Sequence, residues 1–437
     1  MSVEFLGLPA GWKIGTALPA AGAGRFRAED YDHLIDCPVE IGAFDELAFK
    51  LRGVDFRVVC HGRRGLADSK ALESTIRTVV GAAFDLMRDV PLKDYVFIYH
   101  FTGLERGGGM EHRNSTAINV PPARNSKSDA RDPVGIAGVT AHEFFHLWNV
   151  KRIRPEQYVE PDHTRPFPTR ALWFSEGVTS YYGNVILLRS GLITREEFYA
   201  RIAGRITALA GRPARLVQSA EEGSEGAWRY PEPAYLLPEN SIDYYGKGAL
   251  LAFLADLKMR AGSGGARSLD DVMRFMNRYF AKRGVGFRFQ DLQWIFGAVA
   301  EADFSDFFSR YVSGTEELPW RECLEPAGLE LVESVATVAD LGFFGSRNHD
   351  EPAVVARVDR GSPAEMAGLE VGDVLVSDYT AGKPDEPITL RVERRGKPRE
   401  ISFRTGRKEV RSYHIREMAG AGARQHAILD GFAAGRP

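Results

Sequence analysis

The sequence has few cysteines, little net charge and no long apolar run, and each of these features argues against a class of protein. Its 437 residues include three cysteines, Cys37, Cys60 and Cys323, which are widely spaced and form no C-x-x-C pair. We therefore expect reduced thiols in a cytoplasmic protein rather than a disulfide framework. No segment approaches about eighteen consecutive apolar residues, and the first residues do not resemble a signal peptide, so we expect a soluble protein that neither crosses a membrane nor is exported. A net charge of -3 gives no reason to expect a nucleic-acid partner.

The pattern of apolar residues predicts an α+β fold with several domains. Hydrophobic residues make up 44% and charged residues 26% of the chain, values typical of folded proteins. Short β-branched runs between glycine and proline predict a small β region over residues 1–66. Helical spacing begins at Ser69 and dominates the following residues apart from a buried strand at 94–101, so residues 67–324 are predicted to form a mainly helical domain.

The composition changes again near residue 324. From there, strand patterns and one strongly specified short helix predict a β domain over residues 325–410. In that helix Ser362 is the expected N-cap, Pro363 the first residue, Glu365 the capping-box partner and Gly368 the stop. Residues 411–437 are interpreted as a C-terminal tail, which is rich in glycine and alanine from about residue 420 and is expected to be poorly ordered.

Two histidines and two glutamates indicate a zinc site. The apolar run 140–149 contains His-Glu-x-x-His, which on a helix places His142 and His146 on one face with Glu143 at its edge. Catalytic zinc usually has three protein ligands, so a further ligand is needed downstream. Glu176 is a single acid among bulky residues in a second apolar run, where burial would be costly unless it were paired or bound to a metal. The sequence therefore predicts one Zn2+ per chain, held by His142, His146 and Glu176.

Two other segments carry candidate functional residues, each with a simpler alternative. Gly107, Gly108 and Gly109 allow close approach of a ligand to the backbone, and Glu111 places a carboxylate beside them, but the segment could equally be a loop between strands. Tyr245 lies just ahead of a predicted helix. Its hydroxyl could stabilise an oxyanion near zinc, or its ring could be a packing residue.

Four motifs together resemble one family of zinc peptidases. They are His142–His146, Trp173–Gly177, Gly107–His112 and Tyr244–Gly248, and they resemble the PDZ-containing glycyl aminopeptidases, gluzincins similar to the larger aminopeptidases with a thermolysin-like zinc domain. The resemblance implies a truncated N-terminal β domain at 1–66, a thermolysin-like catalytic domain at 67–324 and a PDZ-like domain at 325–410. The segment after Ser377 is too short for the helix that borders a PDZ peptide groove, so we do not expect peptide capture there.

The resemblance also implies a role for each candidate residue. It implies zinc ligation by His142, His146 and Glu176, and it makes Glu143 the general base and acid. Glu111 would hold the free amino group of a peptide, Gly107, Gly108, Gly109 and Met110 would line the peptide, and Tyr245 would stabilise the tetrahedral intermediate. The expected activity is release of small N-terminal residues, glycine or alanine, from peptides with free N-termini. The alternatives are a zinc endopeptidase and a non-catalytic peptide-binding scaffold.

Overall fold

The computed structural model describes residues 1–62, 69–101, 107–121, 132–229, 241–346, 352–376 and 379–435, and these form two compact units. The first unit contains the described residues up to Val332 and those from His414 onward. The second contains the described residues of Glu333–Tyr413. The described part of the chain therefore combines N-terminal strands, a helical middle and C-terminal sheets.

The N-terminal residues form two small antiparallel sheets. Their elements are β1 (Ser2–Glu4), β2 (Lys13–Thr16), β3 (Ala20–Gly22), β4 (Arg25–Arg27), α1 (Tyr31–Ile35) and β5 (Val39–Gly42). Strands β1, β4 and β3 form one sheet in that order, and β2 pairs with β5. Apolar side chains of this region pack on one face of the next sheet, where Ala17, Leu18 and Phe44 join Val59 and Ile98 in a buried cluster.

A five-stranded sheet supports the helical part of the first unit. It contains β6 (Asp45–Leu51), β7 (Val54–Gly62), β8 (Asp94–Phe101), β9 (Gly108–Glu111) and β10 (Ser115–Val120), in the order β6-β7-β8-β10-β9. Strand β8 is parallel to β7 and β10, and helix α2 (Ser69–Met87) makes the crossover that a parallel β7–β8 pair requires. The predicted domain boundary at residue 66 therefore falls between neighbouring strands of one sheet.

Helices form most of the remaining first unit. They are α3 (Pro133–Phe145), a π-helix (Trp173–Val178), α4 (Thr179–Arg189), α5 (Arg195–Ala210), α6 (Ala220–Gly226), α7 (Tyr244–Ser263), α8 (Leu269–Tyr279), α9 (Phe289–Ala300), α10 (Ser305–Phe307), a second π-helix (Phe308–Val312) and α11 (Trp320–Leu324). Helix α7 is buried on almost every side, which explains why it lacks a clear polar face. Within the described residues, no helix combines the length and apolar character needed to cross a membrane.

Aromatic packing fixes helix α3 to the sheet. The Phe144 ring lies 5.1 Å from that of Tyr95 and 5.9 Å from that of Phe97, both on β8. It also packs edge-on against Phe84 of α2 at 5.6 Å. Burying a side chain of this size stabilises the fold by about 2 to 3 kcal/mol. Phe144, which lies between the two histidines in sequence, thus belongs to the core.

The second unit is built around a five-stranded sheet. The sheet strands and the helix among them are β12 (Phe343–Ser346), β13 (Val354–Val358), α12 (Pro363–Met366), β14 (Val374–Leu375), β15 (Pro387–Arg394) and β16 (Lys397–Arg404). Strand β11 (Leu329–Asp340) precedes the sheet in the chain, and β17 (Gly406–Glu417) follows it. The sheet order is β12-β13-β14-β15-β16, and β11 pairs with β17. The Ser362 hydroxyl accepts a hydrogen bond from Glu365 N at 3.1 Å, which is the predicted helix cap. Ser377 and Asp378 lie outside the described residues, and residues 379–386 contain no helix.

The C-terminal residues contradict one expectation from the sequence. Residues Ala423–Ala434 form helix α13 instead of a poorly ordered tail. Ile428 and Leu429 are buried in the first unit, and the Phe432 ring lies 5.3 Å from that of Phe198. The glycine and alanine content of this segment concealed three apolar residues at helical spacing, and their burial supplies the free energy that orders the helix.

Candidate metal centre

Helix α3 places the two histidines at its C-terminal end. The Asp132 carboxylate caps the helix by accepting a hydrogen bond from Val134 N at 3.0 Å, and Pro133 occupies the first position, where no N–H is needed. The helix ends at Phe145 with His146 as its C-cap, and the rings of His142 and His146 are 4.7 Å apart. The helical geometry therefore brings both imidazoles to one point, as the spacing predicts.

Glu176 completes a triangle with the histidines. Its Oε2 lies 3.4 Å from Nε2 of His142 and 3.4 Å from Nε2 of His146, and the two Nε2 atoms are 3.1 Å apart. Ligand atoms about 2.0 to 2.1 Å from a tetrahedral ion are separated by about 3.3 Å. The three ligand atoms are thus spaced as they would be on one face of such a tetrahedron.

Hydrogen bonds outside the triangle help to orient its side chains. His146 Nδ1 donates a hydrogen bond to the carbonyl oxygen of Asn149 at 2.6 Å, which leaves the lone pair of Nε2 facing Glu176. The Asn149 amide in turn donates to the carbonyl oxygen of Phe174 at 3.0 Å and contacts Thr179 Oγ1 at 3.2 Å. Asn149 therefore joins the end of α3 to the π-helix that carries Glu176. The sequence analysis missed this role because an asparagine just after a helix is ordinarily interpreted as part of its end.

Two glycines allow the Glu176 helix to approach α7. A Cβ on Gly177 would lie 2.4 Å from Gly248 Cα, and a Cβ on Gly248 would lie 2.3 Å from the carbonyl oxygen of Trp173. Any larger side chain at either position would therefore push the helices apart. Their close approach fixes the position of Glu176 relative to the residues at the start of α7.

The electrostatics of the cluster fit a bound cation. Although burial acts in the opposite direction, the charge of His146 and hydrogen bonds from both histidines lower the pKa of Glu176. Burial also opposes protonation of His146, but the charges of Glu176 and Glu111 outweigh it and raise the pKa of His146 to about 10. Burial lowers the pKa of His142. The acids thus favour a positive charge at this point, which a proton or a metal ion can supply, and two imidazoles with one carboxylate are a typical catalytic zinc set.

Glu143 lies beside the triangle with one oxygen unused. Its side chain is 4% exposed, and Oε2 has no hydrogen-bond partner among the described residues. A Cβ on Gly109 would lie 2.4 Å from Cδ of Glu143, so the strand can pass this close only because residue 109 is glycine. Burial, together with the charges of Glu111 and Glu176, raises the pKa of Glu143 to about 8. A buried carboxylate without a partner, at a metal cluster, is suited to accept a proton from a reacting molecule.

Strand β9 brings Glu111 to the same place. It pairs antiparallel to β10 at the edge of the sheet, with Gly109 opposite Ile118 and Glu111 opposite Thr116. Residues two apart on a strand share a face, so Glu111 is on the side where Gly109 meets Glu143. Ligand atoms of Glu111, Glu143 and His146 all lie within 4.8 Å of one another. The site therefore contains two carboxyl groups, those of Glu111 and Glu143, in addition to the three side chains that could hold a metal ion.

A cavity of about 550 Å³ opens over this cluster. Its lining contains the three predicted ligands and Glu143 together with Gly108, Gly109, Met110, Glu111, Val139, Asp243 and Tyr245. Gly107 lies next to this lining and packs on Pro121, where a Cβ would be 2.7 Å from the proline Cδ. The structure thus gathers all the sequence-predicted site residues except Gly107 around one cavity.

Tyr245 is positioned by the start of α7. Asp243 caps this helix by accepting a hydrogen bond from Tyr245 N at 3.0 Å, and the Tyr245 ring lies 6.2 Å from that of His142. Asp243 and Val139 line the cavity but were not predicted. The Asp243 capping signal was visible in the sequence, whereas its position over the cavity depends on the packing of α7 against the π-helix.

Two family models match parts of the chain. Residues 136–251 match the M61 glycyl aminopeptidase family, and residues 1–43 match the peptidase M61 N-terminal domain. The longer match includes His142, Glu143, His146, Glu176 and Tyr245. The chain is thus a metallopeptidase enzyme. No curated protein matches the chain.

One solved structure shares the fold over most of the chain. An aminopeptidase N family protein from Idiomarina loihiensis superimposes with a TM-score of 0.80 at 24% identity, over 97% of this chain and 77% of that one. An M1 zinc metallopeptidase mutant from Deinococcus radiodurans, bound to a Tyr-Ser-Ala substrate, gives a TM-score of 0.48 at 15% identity, over 71% of this chain and 63% of that one. The first similarity extends over both compact units and indicates an aminopeptidase fold.

Proposed function

We propose that this chain is a zinc-dependent aminopeptidase that hydrolyses the first peptide bond of peptides and prefers glycine or alanine at the N-terminus. The observation that carries the proposal is a pair of further acids at this site, because ligand atoms of Glu111, Glu143 and His146 lie within 4.8 Å of one another. An endopeptidase needs a general base but no extra anion, whereas an aminopeptidase must hold a cationic amine beside the metal. The match to glycyl aminopeptidases supports the preference for a small first residue.

His142, His146 and Glu176 would hold the metal ion. Their three ligand atoms are separated by 3.1 to 3.4 Å, and all three side chains line the cavity from which a substrate would approach. Bound zinc would supply a Lewis acid that polarises the scissile carbonyl and lowers the pKa of water.

Glu143 would move the proton. Its free Oε2 accepts a proton from the attacking water and then gives it to the nitrogen of the leaving amine. Its pKa of about 8 in the absence of a metal ion reflects its buried position. A positive charge bound beside it would favour the carboxylate form needed for the first proton transfer.

Glu111, the glycine strand and Tyr245 would position the peptide. Glu111 pairs with the terminal ammonium group, while the backbone of Gly107, Gly108 and Gly109, with Met110, lines the first residues of the peptide. A chain extending along the edge strand β9 could form backbone hydrogen bonds with it. The Tyr245 hydroxyl, whose side chain also lines the cavity, would donate a hydrogen bond to the developing oxyanion.

The decisive experiment compares Glu143→Gln with the unmodified protein on glycyl and alanyl p-nitroanilides. We expect the variant to keep one zinc ion per chain but to lose about 100- to 10,000-fold in kcat, because it lacks the proton acceptor. Glu160→Gln, at an exposed glutamate, is the matched control and should have a normal rate. An unchanged rate in Glu143→Gln would contradict the proposal.

A second comparison distinguishes an aminopeptidase from an endopeptidase. Free and N-acetylated forms of the same peptide should differ strongly in kcat/KM, because only the free form can pair with Glu111. Glu111→Gln should reduce this difference mainly by weakening hydrolysis of the free peptide. Equal hydrolysis of both forms by the unmodified protein would instead support an endopeptidase.

A further inference from the structure

The first unit contains a second cavity, whose lining shares no residue with that of the metal centre. Its volume is about 370 Å³, and we call it the basic pocket because five cations line it. These are Arg113, Lys151, Arg152, Arg154 and Lys282, while Asp89 is its single lining acid. Arg113 lies in the turn between β9 and β10, and the next three cations follow the end of α3.

Nearby acids neutralise two of the five cations. Lys282 Nζ lies 2.8 Å from Asp89, and Lys151 Nζ lies 2.7 Å from Asp36. Asp89 also accepts hydrogen bonds from Trp148 and Asn277, so both of its carboxylate oxygens have partners. The remaining three cations are arginines, and none of them forms an ion pair with a described residue.

Neutral carbonyl groups hold two of these arginines in place. Arg152 donates hydrogen bonds to the carbonyl oxygens of Leu147 at 2.8 Å, Arg113 at 3.1 Å and Pro91 at 3.3 Å. Arg154 donates through Nε to the carbonyl oxygen of Lys151 at 2.9 Å. These bonds orient the guanidinium groups, but neither guanidinium is in contact with a described acid.

This arrangement has an electrostatic cost. Burial and the charge of Arg113 lower the pKa of Arg152 to about 10, and the same two causes lower the pKa of Arg154. A helix C-terminus favours nearby cations, which would account for a single arginine after α3. It does not account for Arg113, which comes from a different element and adds a third like charge to the same cavity.

We propose that the basic pocket binds a phosphate group, either free or carried by a small organic molecule. A phosphate monoester carries about -1.5 to -2 charges at pH 7, which compensates three unpaired guanidinium groups better than a carboxylate does. The planar fork of arginine matches two phosphate oxygens at once. The cavity is larger than one phosphate ion and can admit part of an attached organic group. This site does not depend on the peptidase activity proposed above.

The test is calorimetric titration of the full, zinc-loaded chain with inorganic phosphate and with glycerol 3-phosphate. Acetate and chloride at equal ionic strength control for unspecific charge screening. We expect saturable binding of one phosphate group per chain and no saturable binding of acetate. Tighter binding of the ester would identify an organic phosphate as the ligand, and tighter binding of the free ion would identify phosphate itself.

Arg113→Gln distinguishes the basic pocket from the zinc ion as the phosphate site. The Arg113 side chain forms no hydrogen bond or ion pair with a described residue, so its loss should not disturb the fold. We expect about tenfold weaker phosphate binding with the peptidase rate unchanged. Arg201→Gln removes the same charge from an exposed position on α5 and should bind phosphate normally. Absence of saturable phosphate binding, or equal affinity in Arg113→Gln and Arg201→Gln, would overturn the proposal.

Discussion

Two histidines and one glutamate come together at two places in the first unit, on opposite faces of the five-stranded sheet. The first is the metal-ligand triangle beneath β9. The second contains Glu40 of β5, His61 of β7 and His100 of β8. His100 follows Tyr99, whose hydroxyl contacts Thr140 of α3, so the His100 side chain points away from the metal centre. The same three residue types therefore occur in the same unit with different geometry.

The difference lies in how each glutamate uses its oxygens. Glu176 directs one oxygen to both Nε2 atoms, and the three atoms surround a common point. Glu40 instead gives one oxygen to His61 Nδ1 and the other to His100 Nε2, the latter at 2.7 Å, while the two rings are 6.2 Å apart. His146 is 1% exposed, whereas the His61 side chain is 45% exposed. The carboxylate of Glu40 bridges its two histidines by separate hydrogen bonds, whereas the three converging atoms of the first cluster could hold a cation between them.

The largest expected effect is loss of the metal ion from only one of the two clusters. Glu176→Gln should weaken zinc binding by more than the roughly 100-fold that loss of a supporting residue costs, and peptidase activity should disappear with the metal. Metal analysis after dialysis and anilide hydrolysis measure the two effects. Glu40→Gln is the matched variant and should retain one zinc ion and its activity. If both variants lost zinc equally, the interpretation of the Glu40 cluster as hydrogen-bonded would be wrong.

A smaller effect is expected from a methyl group placed against each cluster. In Gly109→Ala the new Cβ would meet Cδ of Glu143 at 2.4 Å, whereas in Gly42→Ala it would meet Cε1 of His61 at a tighter-than-usual but tolerable 3.2 Å. Because a displacement of about 1 Å can cost about 100-fold in rate, we expect that loss in kcat for Gly109→Ala with zinc retained. Gly42→Ala should stay within a few-fold of the normal rate. Normal turnover by Gly109→Ala would show that Glu143 does not need its observed position.

The sequence was most informative about site residues whose chemical type and local spacing both indicate the same role. Helical spacing predicts the convergence of His142 and His146, and the cost of burying an acid among aromatic residues points to Glu176. The close contact between Gly177 and Gly248, which positions Glu176, was not predictable. Nothing in the sequence around either glycine indicates that it packs against the other. Helix α13 was missed for a similar reason, since its order depends on packing against Phe198, more than 200 residues earlier in the chain. Residue types can thus indicate a site before the contacts that support it can be inferred.

A third carboxylate, Asp36, sharpens the comparison because its charge is stabilised entirely by protein groups. Asp36 accepts hydrogen bonds from Lys151 Nζ at 2.7 Å, Arg113 N at 2.9 Å and His112 Nδ1 at 3.3 Å. It thereby ties the N-terminal region to the turn that follows Glu111. Burial opposes its charged form, but these partners lower the pKa of Asp36 from 3.8 to about 2.

This shift predicts a modest, pH-dependent loss of stability in Asp36→Asn. Since the folded-state pKa is lower than the unfolded one, the stabilisation is complete above about pH 4 and is lost as the pH falls toward 2. At pH 7 the variant should be less stable by about 2 kcal/mol, and the difference from the unmodified protein should shrink in acid. Urea unfolding at pH 7 and pH 3 measures both values, with Asp306→Asn at an exposed position on α10 as the control. A difference that is equal at both pH values would mean that the loss comes from altered packing, and that Asp36 does not act through its charge.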